Sequence, residues 1–293
     1  MFSKSNKLLY ISIVILTFLY ILSFSKSCSN KDKRVELKSS LVNPKYAEEI
    51  NIIELNDSSS TLILTKQKEN FWILNKNISD ISYPADSKRI KNLIKNLINI
   101  RKMYKISDNF IKDNSFGLQN SSTFSLKYHF PSGIHELTFG NQDFSLDSRY
   151  LMTDKNTVIY EIADDISNFL STAEQSWAEP YLISQEILGK ILPEDIQSAT
   201  LQEGKQIFRI TDTAKLLELR HGGIPEKIDY VAPPAAVITL ELGNKSTIYL
   251  EIYSQSKENE YTVKTTYKSS SGQQFFYSKI SGWTYNKIRE ITL

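Results

Sequence analysis

The sequence predicts an α+β fold: an N-terminal transmembrane helix, then two tandem, repeated modules of antiparallel sheet with packed helices. Three observations predict it. Leu8 to Phe24 reads LLYISIVILTFLYILSF, apolar on every face and free of charge. Beyond it, short alternating runs rich in Tyr, Phe, Ile and Thr are punctuated by Gly, Pro, Ser and Asn. An order of strands closing on a short helix occurs once before and once after residue 189.

As a helix, Leu8–Phe24 rises roughly 26 Å, close to the roughly 30 Å bilayer core. Ser12, Thr17 and Ser23 can return their hydroxyls to the helix backbone, and no Pro or Gly interrupts the run. Lys4 and Lys7 flank one side and Lys26, Lys31, Lys33 and Arg34 the other, so charge alone leaves the orientation equivocal. The short leading tail resembles the start of an export signal, which favours an extracytoplasmic body. An uncleaved signal anchor is the preferred reading. Cleavage is disfavoured by Lys26 between Ser25 and Ser27. Cys28, the only cysteine, lies where a lipidated cysteine would lie, but Ser25-Lys26-Ser27 matches a lipoprotein signal poorly. The expected location is the inner (cytoplasmic) membrane, single-pass, with a periplasmic body. The expected divisions are 1–25 for tail and anchor, 26–45 for a polar tether, 46–188 for the first module and 189–293 for the second.

Thirty-five basic and 33 acidic residues leave a net charge of +2, and no basic stripe carries interleaved aromatics. Nucleic acid is therefore not an expected partner. The 16 Tyr and 14 Phe fall mostly in strand-like runs, where they read as core.

Ile50–Leu55, Thr61–Lys66 and Phe71–Leu74 read as a β-meander. Pro84-Ala85-Asp86-Ser87 opens a helix that Asp86 or Ser87 caps, with Ile90, Leu93, Ile94, Leu97, Ile98 and Met103 on one face. Its basic back reads as a solvated surface rather than a lipid-binding face. Phe116-Gly117-Leu118 marks a turn. Strands follow at Thr123–Phe130, Ile134–Phe139, Arg149–Thr153 and Thr157–Ile162, the first two joined through Pro131-Ser132-Gly133. Asp164-Asp165 is expected to cap a short helix through Phe169 and Leu170.

Residues 172–195 read as a connector with one short helix before Pro193. Strands resume at Ile196–Leu201 and Gln206–Thr211. Leu216–Leu219 is ambiguous, and Ala232-Pro233-Pro234-Ala235 is a breaker. Strands at Val237–Leu242, Thr247–Tyr253, Tyr261–Tyr267 and Gln274–Ile280 precede a final helix from Gly282-Trp283 to Arg289.

No catalytic constellation emerges. The body has no cysteine nucleophile, and no G-x-S-x-G elbow, Walker A loop, dinucleotide fingerprint or H-E-x-x-H is present. His129 and His135 flank a hairpin and would face each other across it, but two ligands do not complete a metal site. The sequence thus implies no catalytic residue, metal site or cofactor. Arg220-His221 before Gly222-Gly223 could meet a partner at a sharp turn, and with Trp177 and Tyr181 forms the set of candidate partner contacts.

Several pieces occur in a recognisable order. Phe71-Trp72-Ile73-Leu74, Tyr83-Pro84-Ala85-Asp86 and Phe116-Gly117-Leu118 come first. Leu137-Thr138-Phe139-Gly140, Arg149-Tyr150-Leu151, Val158-Ile159-Tyr160 and Trp177 to Leu182 follow. Over roughly Ile50 to Leu188 the chain resembles a bacterial family known as domain of unknown function 4340. Leu217 to Gly222 resembles spirochaete members more than the general family. The resemblance implies a membrane-anchored protein with an extracytoplasmic α+β body, encoded beside gliding-type ABC transporters that carry a large auxiliary membrane subunit. It implies no catalytic residue. The expected function is a non-enzymatic accessory subunit of such an envelope transporter, meeting its membrane and auxiliary subunits by protein contacts. The alternative is a free-standing extracytoplasmic lipid- or glycan-binding envelope protein.

Overall fold

Period-two alternation folds into two antiparallel sheets in this computed structural model. It describes Thr17 and residues 35–293, apart from 70, 77–80, 109–113, 120–122, 155–156, 229–231 and 256–258. The first sheet is built from β1 (Val35–Ser39), β2 (Ile52–Asn56), β3 (Thr61–Lys68), β4 (Phe71–Lys76), β5 (Ser82–Pro84), β6 (Arg101–Ser107), β7 (Phe124–Phe130), β8 (Gly133–Gln142), β9 (Ser148–Thr153) and β10 (Ile159–Ala163). Their order is β1-β6-β10-β9-β8-β7-β2-β3-β4-β5. The second holds β11 (Ile196–Glu203), β12 (Gln206–Arg209), β13 (Ala236–Leu242), β14 (Thr247–Ser254), β15 (Glu260–Ser269) and β16 (Gly272–Ser281), in the order β12-β11-β13-β14-β15-β16. The α-helices described within residues 35–293 are α1 (Ser87–Ile98), α2 (Glu174–Trp177), α3 (Thr213–Leu217) and α4 (Gly282–Glu290).

Register places like with like. Residues directly opposite in an antiparallel pair share a face, and Leu62, Leu55, Leu126 and Leu137 are paired in succession across β3, β2, β7 and β8. All four are buried. Ile90, Leu93 and Leu97 of α1 are buried in the same core, one turn apart as a 3.6-residue period requires. Asp86 caps α1 by accepting from Arg89 N at 2.9 Å. In the second sheet, Ile238, Leu240, Ile248, Leu250, Ile252 and Val263 do the same work with Ile288 of α4. The two cores merge into one cluster running from Leu41 to Ile291.

Three expectations need correction. The apolar face of α1 ends at Ile98, and Met103 belongs to β6, paired with Leu37 and Ile162. Alternation in RKMYKIS is strand-like, and Asn99 ends the helix before it. The tether is not linker throughout, because Val35–Ser39 in its middle is a paired edge strand. Every residue of β1 is exposed, so its composition reads as linker. Finally, Ile166 rather than Asp164 or Asp165 precedes the 3-10 turn Ser167–Phe169. The two carboxylates are taken by Arg149 and Arg101, at 2.8 and 2.7 Å. The expected anchor lies outside the described residues except for Thr17, and Cys28 lies outside them too. Among the described residues no helix is long and apolar enough to cross a membrane.

Two glycines show how close the packing is. A Cβ on Gly140 of β8 would sit 2.1 Å from the Phe116 carbonyl oxygen, and one on Gly117, at φ +65°, would sit 2.3 Å from Asn141 Oδ1. The Phe116–Leu118 turn therefore lies directly against β8. Phe116 meets Tyr150 of β9 edge-on at 4.8 Å, within a small satellite core of Leu118, Met152 and Ile159. Gly133, at the β7–β8 hairpin, faces open space. Gly140→Ala is expected to lower the unfolding free energy by about 1–3 kcal/mol. Gly133→Ala should change it by less than about 0.5 kcal/mol. Parallel denaturant melts check the pair; equal effects would contradict the close approach.

Candidate functional site at the junction of the two sheets

The two sheets are joined edge to edge by a seam of short bridged segments. Ala85, just after β5, pairs with Ala178; Tyr181 pairs with Arg220; Gly223 pairs with Lys279 of β16. Backbone hydrogen bonds complete it: Glu179 N to Pro84 O at 2.9 Å, Leu182 N to Leu219 O at 2.8 Å, and Lys279 N to Gly223 O at 2.8 Å. Residues 178–182 and 219–223 thus act as interposed strands one or two residues long. The WAEPYL sequence suits this: Pro180 prevents a helix, and small Ala178 lets the backbone lie against Ala85.

Polar side chains gather at this seam. Glu179 is 4% exposed. Its carboxylate accepts from Gln185 N at 2.6 Å and from Ser184 Oγ. Its carbonyl oxygen is met by His221 Nε2 at 2.7 Å. Tyr267 of β15 accepts from Ser184 N at 2.6 Å, and Tyr83 of β5 donates to Tyr181 O at 3.2 Å. Tyr83 packs on His221 at 4.8 Å and edge-on to Phe276 of β16 at 6.2 Å. Every element bordering the seam therefore contributes a group.

Burial sets the electrostatics. Loss of water pushes the Glu179 carboxyl up to about 7; the hydrogen bonds from Ser184 and Gln185 pull against this, and nearby Glu186 and Asp86 add to it. Burial pushes His221 below its ordinary value, so the ring is neutral and Nε2 carries the proton donated to the Glu179 carbonyl. Burial, followed by the neighbouring Glu179 charge, raises Tyr83, and burial also raises Tyr267. The arrangement has an acid and a base: the carboxylate accepts from Ser184 Oγ and Gln185 N, and the imidazole donates from Nε2 to a backbone carbonyl. His221 addresses a carbonyl oxygen rather than Ser184 Oγ, whose hydroxyl donates to the Glu179 carboxylate instead.

The four candidate contacts meet different fates. Arg220 is exposed and lies over the half-buried Tyr181 ring at 5.8 Å, so these two share one solvent-facing lip of the seam. His221 is turned inward. Trp177 is fully buried and is not a surface contact. Its Nε1 donates to Ser171 O at 2.8 Å, and the Arg89 guanidinium covers its ring at 4.7 Å. Glu179, Ser184, Tyr83 and Tyr267 were not singled out by sequence. The available signal was a lone carboxylate inside the otherwise apolar stretch from Trp177 to Ile183.

The two hairpin histidines do not face each other. His129 is opposite Ile134, and His135 is opposite Tyr128, so they lie on opposite faces of the sheet. His129 pairs with Glu54 at 2.8 Å and His135 with Asp154 at 2.7 Å. Among the described residues no group of three or more His, Cys, Asp or Glu is placed to hold a metal ion. His135 also borders a groove of about 420 Å³ on the first sheet, with Tyr46, Tyr128, Phe130, Met103 and Tyr160.

Fold and junction together define a sheet-rich protein whose buried polar groups tie two antiparallel sheets into one body. The model of a family described as Domain of unknown function (DUF4340) matches residues 72–236, more than half of the chain, and the chain belongs to that family. The match starts later than the resemblance suggested and runs past Leu188 to the start of β13. It takes in α1 and both interposed segments of the seam. No curated protein and no solved structure matches the chain.

Glu179 makes the stability of the protein depend on pH. In the unfolded chain its proton leaves near the ordinary value of 4.5, but in the folded protein near 7. Between these values the folded state holds the extra proton, so stability falls as pH rises through that window and is level above it. The full effect is on the order of 3 kcal/mol. Glu179→Gln, which keeps an acceptor for Gln185 N, should flatten this slope between pH 5 and 7 and be at least as stable as wild type at pH 8. Denaturant melts at a series of pH values check this; an unchanged slope in the variant would assign it to another group.

Proposed function

We propose that this chain is a membrane-anchored, non-enzymatic accessory subunit of a gliding-type envelope ABC transporter complex, working through protein–protein contacts. The observation that carries the reading is the seam: its acid, imidazole and phenols are committed to structural partners that join the sheets. Groups spent in this way make a rigid scaffold rather than a reaction centre. The transporter setting comes from what the family resemblance implies. Leu8–Phe24 would hold the body at the inner membrane on the periplasmic side. Each sheet contains a four-strand meander, β7 to β10 and β13 to β16, followed by a helical turn or helix. On this reading the two are a duplicated unit.

The lipid- or glycan-binding alternative has the aromatic groove in its favour. It ranks second because the rings face one another rather than the opening. Tyr46 stacks on Phe130 at 5.1 Å, and Phe130 on His135 at 5.2 Å, while Tyr128 and Phe130 are buried.

Purification of the tagged full-length protein from its native membrane in mild detergent is expected to bring an ABC ATPase and its membrane subunits in fixed proportion. A protein that emerges alone would overturn the reading. Cys28 reports topology: as the only cysteine in the chain, it should be labelled by a membrane-impermeant thiol reagent from the periplasmic side. Labelling only after the membrane is opened would reverse the orientation.

A further inference from the structure

Between β8 and β9, a tight turn carries two large apolar side chains into water. Phe144 is 106% exposed and Leu146 is 66% exposed. The turn is stiff. Asp143 N donates to Ser148 O at 2.9 Å and Leu146 N to Asp143 O at 3.1 Å. The Asp143 carboxylate accepts from Ser145 Oγ at 2.8 Å and from Ser148 N at 3.2 Å. Leu146 sits at φ 64°, a left-handed conformation that glycine or asparagine adopts at lower cost. Leu146 thus combines a strained backbone state with an exposed side chain.

The base of the turn is braced from beneath. Arg149 Nε pairs with Asp164 Oδ1 at 2.8 Å, its Nη1 donates to Gly140 O at 2.7 Å, and its Nη2 donates to Ser167 Oγ at 2.8 Å. Gln142 also reaches Asp164, and Asp164 N donates to Asp147 O at 3.0 Å. The Phe116–Leu118 turn packs against the same stretch through Gly140. Around the exposed pair the charge is acidic. Asp164 and Asp165 are matched by Arg149 and Arg101, whereas Asp143 and Asp147 stand in the turn itself. Hydrogen bonds led by Ser145 hold the Asp143 carboxyl below its usual range, so it is charged at neutral pH.

We propose that the β8–β9 turn is a docking plug: Phe144 and Leu146 enter an apolar socket on another protein, and lysines or arginines around that socket meet Asp143 and Asp147. A rigid apolar plug loses little entropy on binding. An acidic rim repels anionic lipid headgroups, which disfavours insertion into a bilayer, and it repels the same turn of a second copy. The inference rests on the accessory-subunit reading only in requiring a protein partner, and it names the contact that reading leaves open.

The test places a photoreactive benzophenone amino acid at position 144 of the full-length protein in its native membrane, with the same group at exposed Ile207 of β12 as control. The expected result is one protein adduct at 144 and not at 207, mapped to an apolar stretch flanked by Lys or Arg. Asp143→Lys with Asp147→Lys should reduce its yield on the order of tenfold. Phe144→Ser with Leu146→Ser should weaken partner recovery by at least that factor. The melting temperature of the latter should stay unchanged, since both side chains already lie in water. Adducts to lipid, to a second copy or to nothing would overturn the proposal. A complex that co-purifies unchanged with the Ser variants would overturn the plug and leave the accessory role standing. No complex with wild type would overturn both.

Discussion

The buried Glu179 is the point on which the two sheets depend. Without the interposed segments, β5 and β16 would be bare edges, each with a row of unpaired backbone groups. The segment through Glu179 meets the β5 side with its backbone N–H and His221 with its carbonyl, while its carboxylate ties down Ser184 and Gln185. The second interposed segment then reaches β16 through Gly222 and Gly223. A carboxylate is costly to bury, and hydrogen bonding to two donors offsets only part of the cost, which is why its proton is held so tightly. The reward is specificity: apolar surface alone would tolerate many relative positions of two sheets, whereas this network accepts one.

A second constraint shapes the far end of the first sheet. Gly117, Gly140 and Arg149 come from separate stretches of the sequence but form one contact, with the Gly140 carbonyl bound by Arg149 and its missing side chain making room for Phe116. Asp164, just past β10, and Ser167 of the 3-10 turn close the arrangement. Gly117, Gly140 and Arg149 all fall in the short pieces that carry the family resemblance. Their role here is geometric, bringing a turn, two strands and a strand end into close contact.

Strands were legible where alternation met a buried face. Ile53 and Leu55, or Ile238 and Leu240, announce themselves because every second residue leaves water. The same rule explains what was missed. β1 is exposed along its whole length and β5 is three residues long, so neither shows a clear period, and β6 follows a helix after only two residues, so its Met103 extends the helical apolar spacing. Asp86 was readable as a cap because capping is local in sequence. Asp164 was not, because Arg149 lies fifteen residues away and outcompetes a helix start for its charge. The hairpin histidines were adjacent in register terms but on opposite faces, which one residue of offset is enough to cause.

For the site, sequence supplied Arg220, His221, Trp177 and Tyr181 as a group, and the fold separated them into exposed Arg220 over half-buried Tyr181, inward-turned His221 and fully buried Trp177. Aromatic and basic residues look alike on paper whether they face a partner or a core. The amino-acid order alone settled the sheet-rich class, most strand positions, the cap of α1 and the family, because each follows from local periodicity, local hydrogen bonding or the spacing of short motifs. Tertiary structure alone decided that Glu179 is the keystone, that Trp177 is buried, and that Phe144 and Leu146 stand in water on a braced turn. Burial and charge pairing depend on residues far apart in the chain, and no short window of sequence contains both partners.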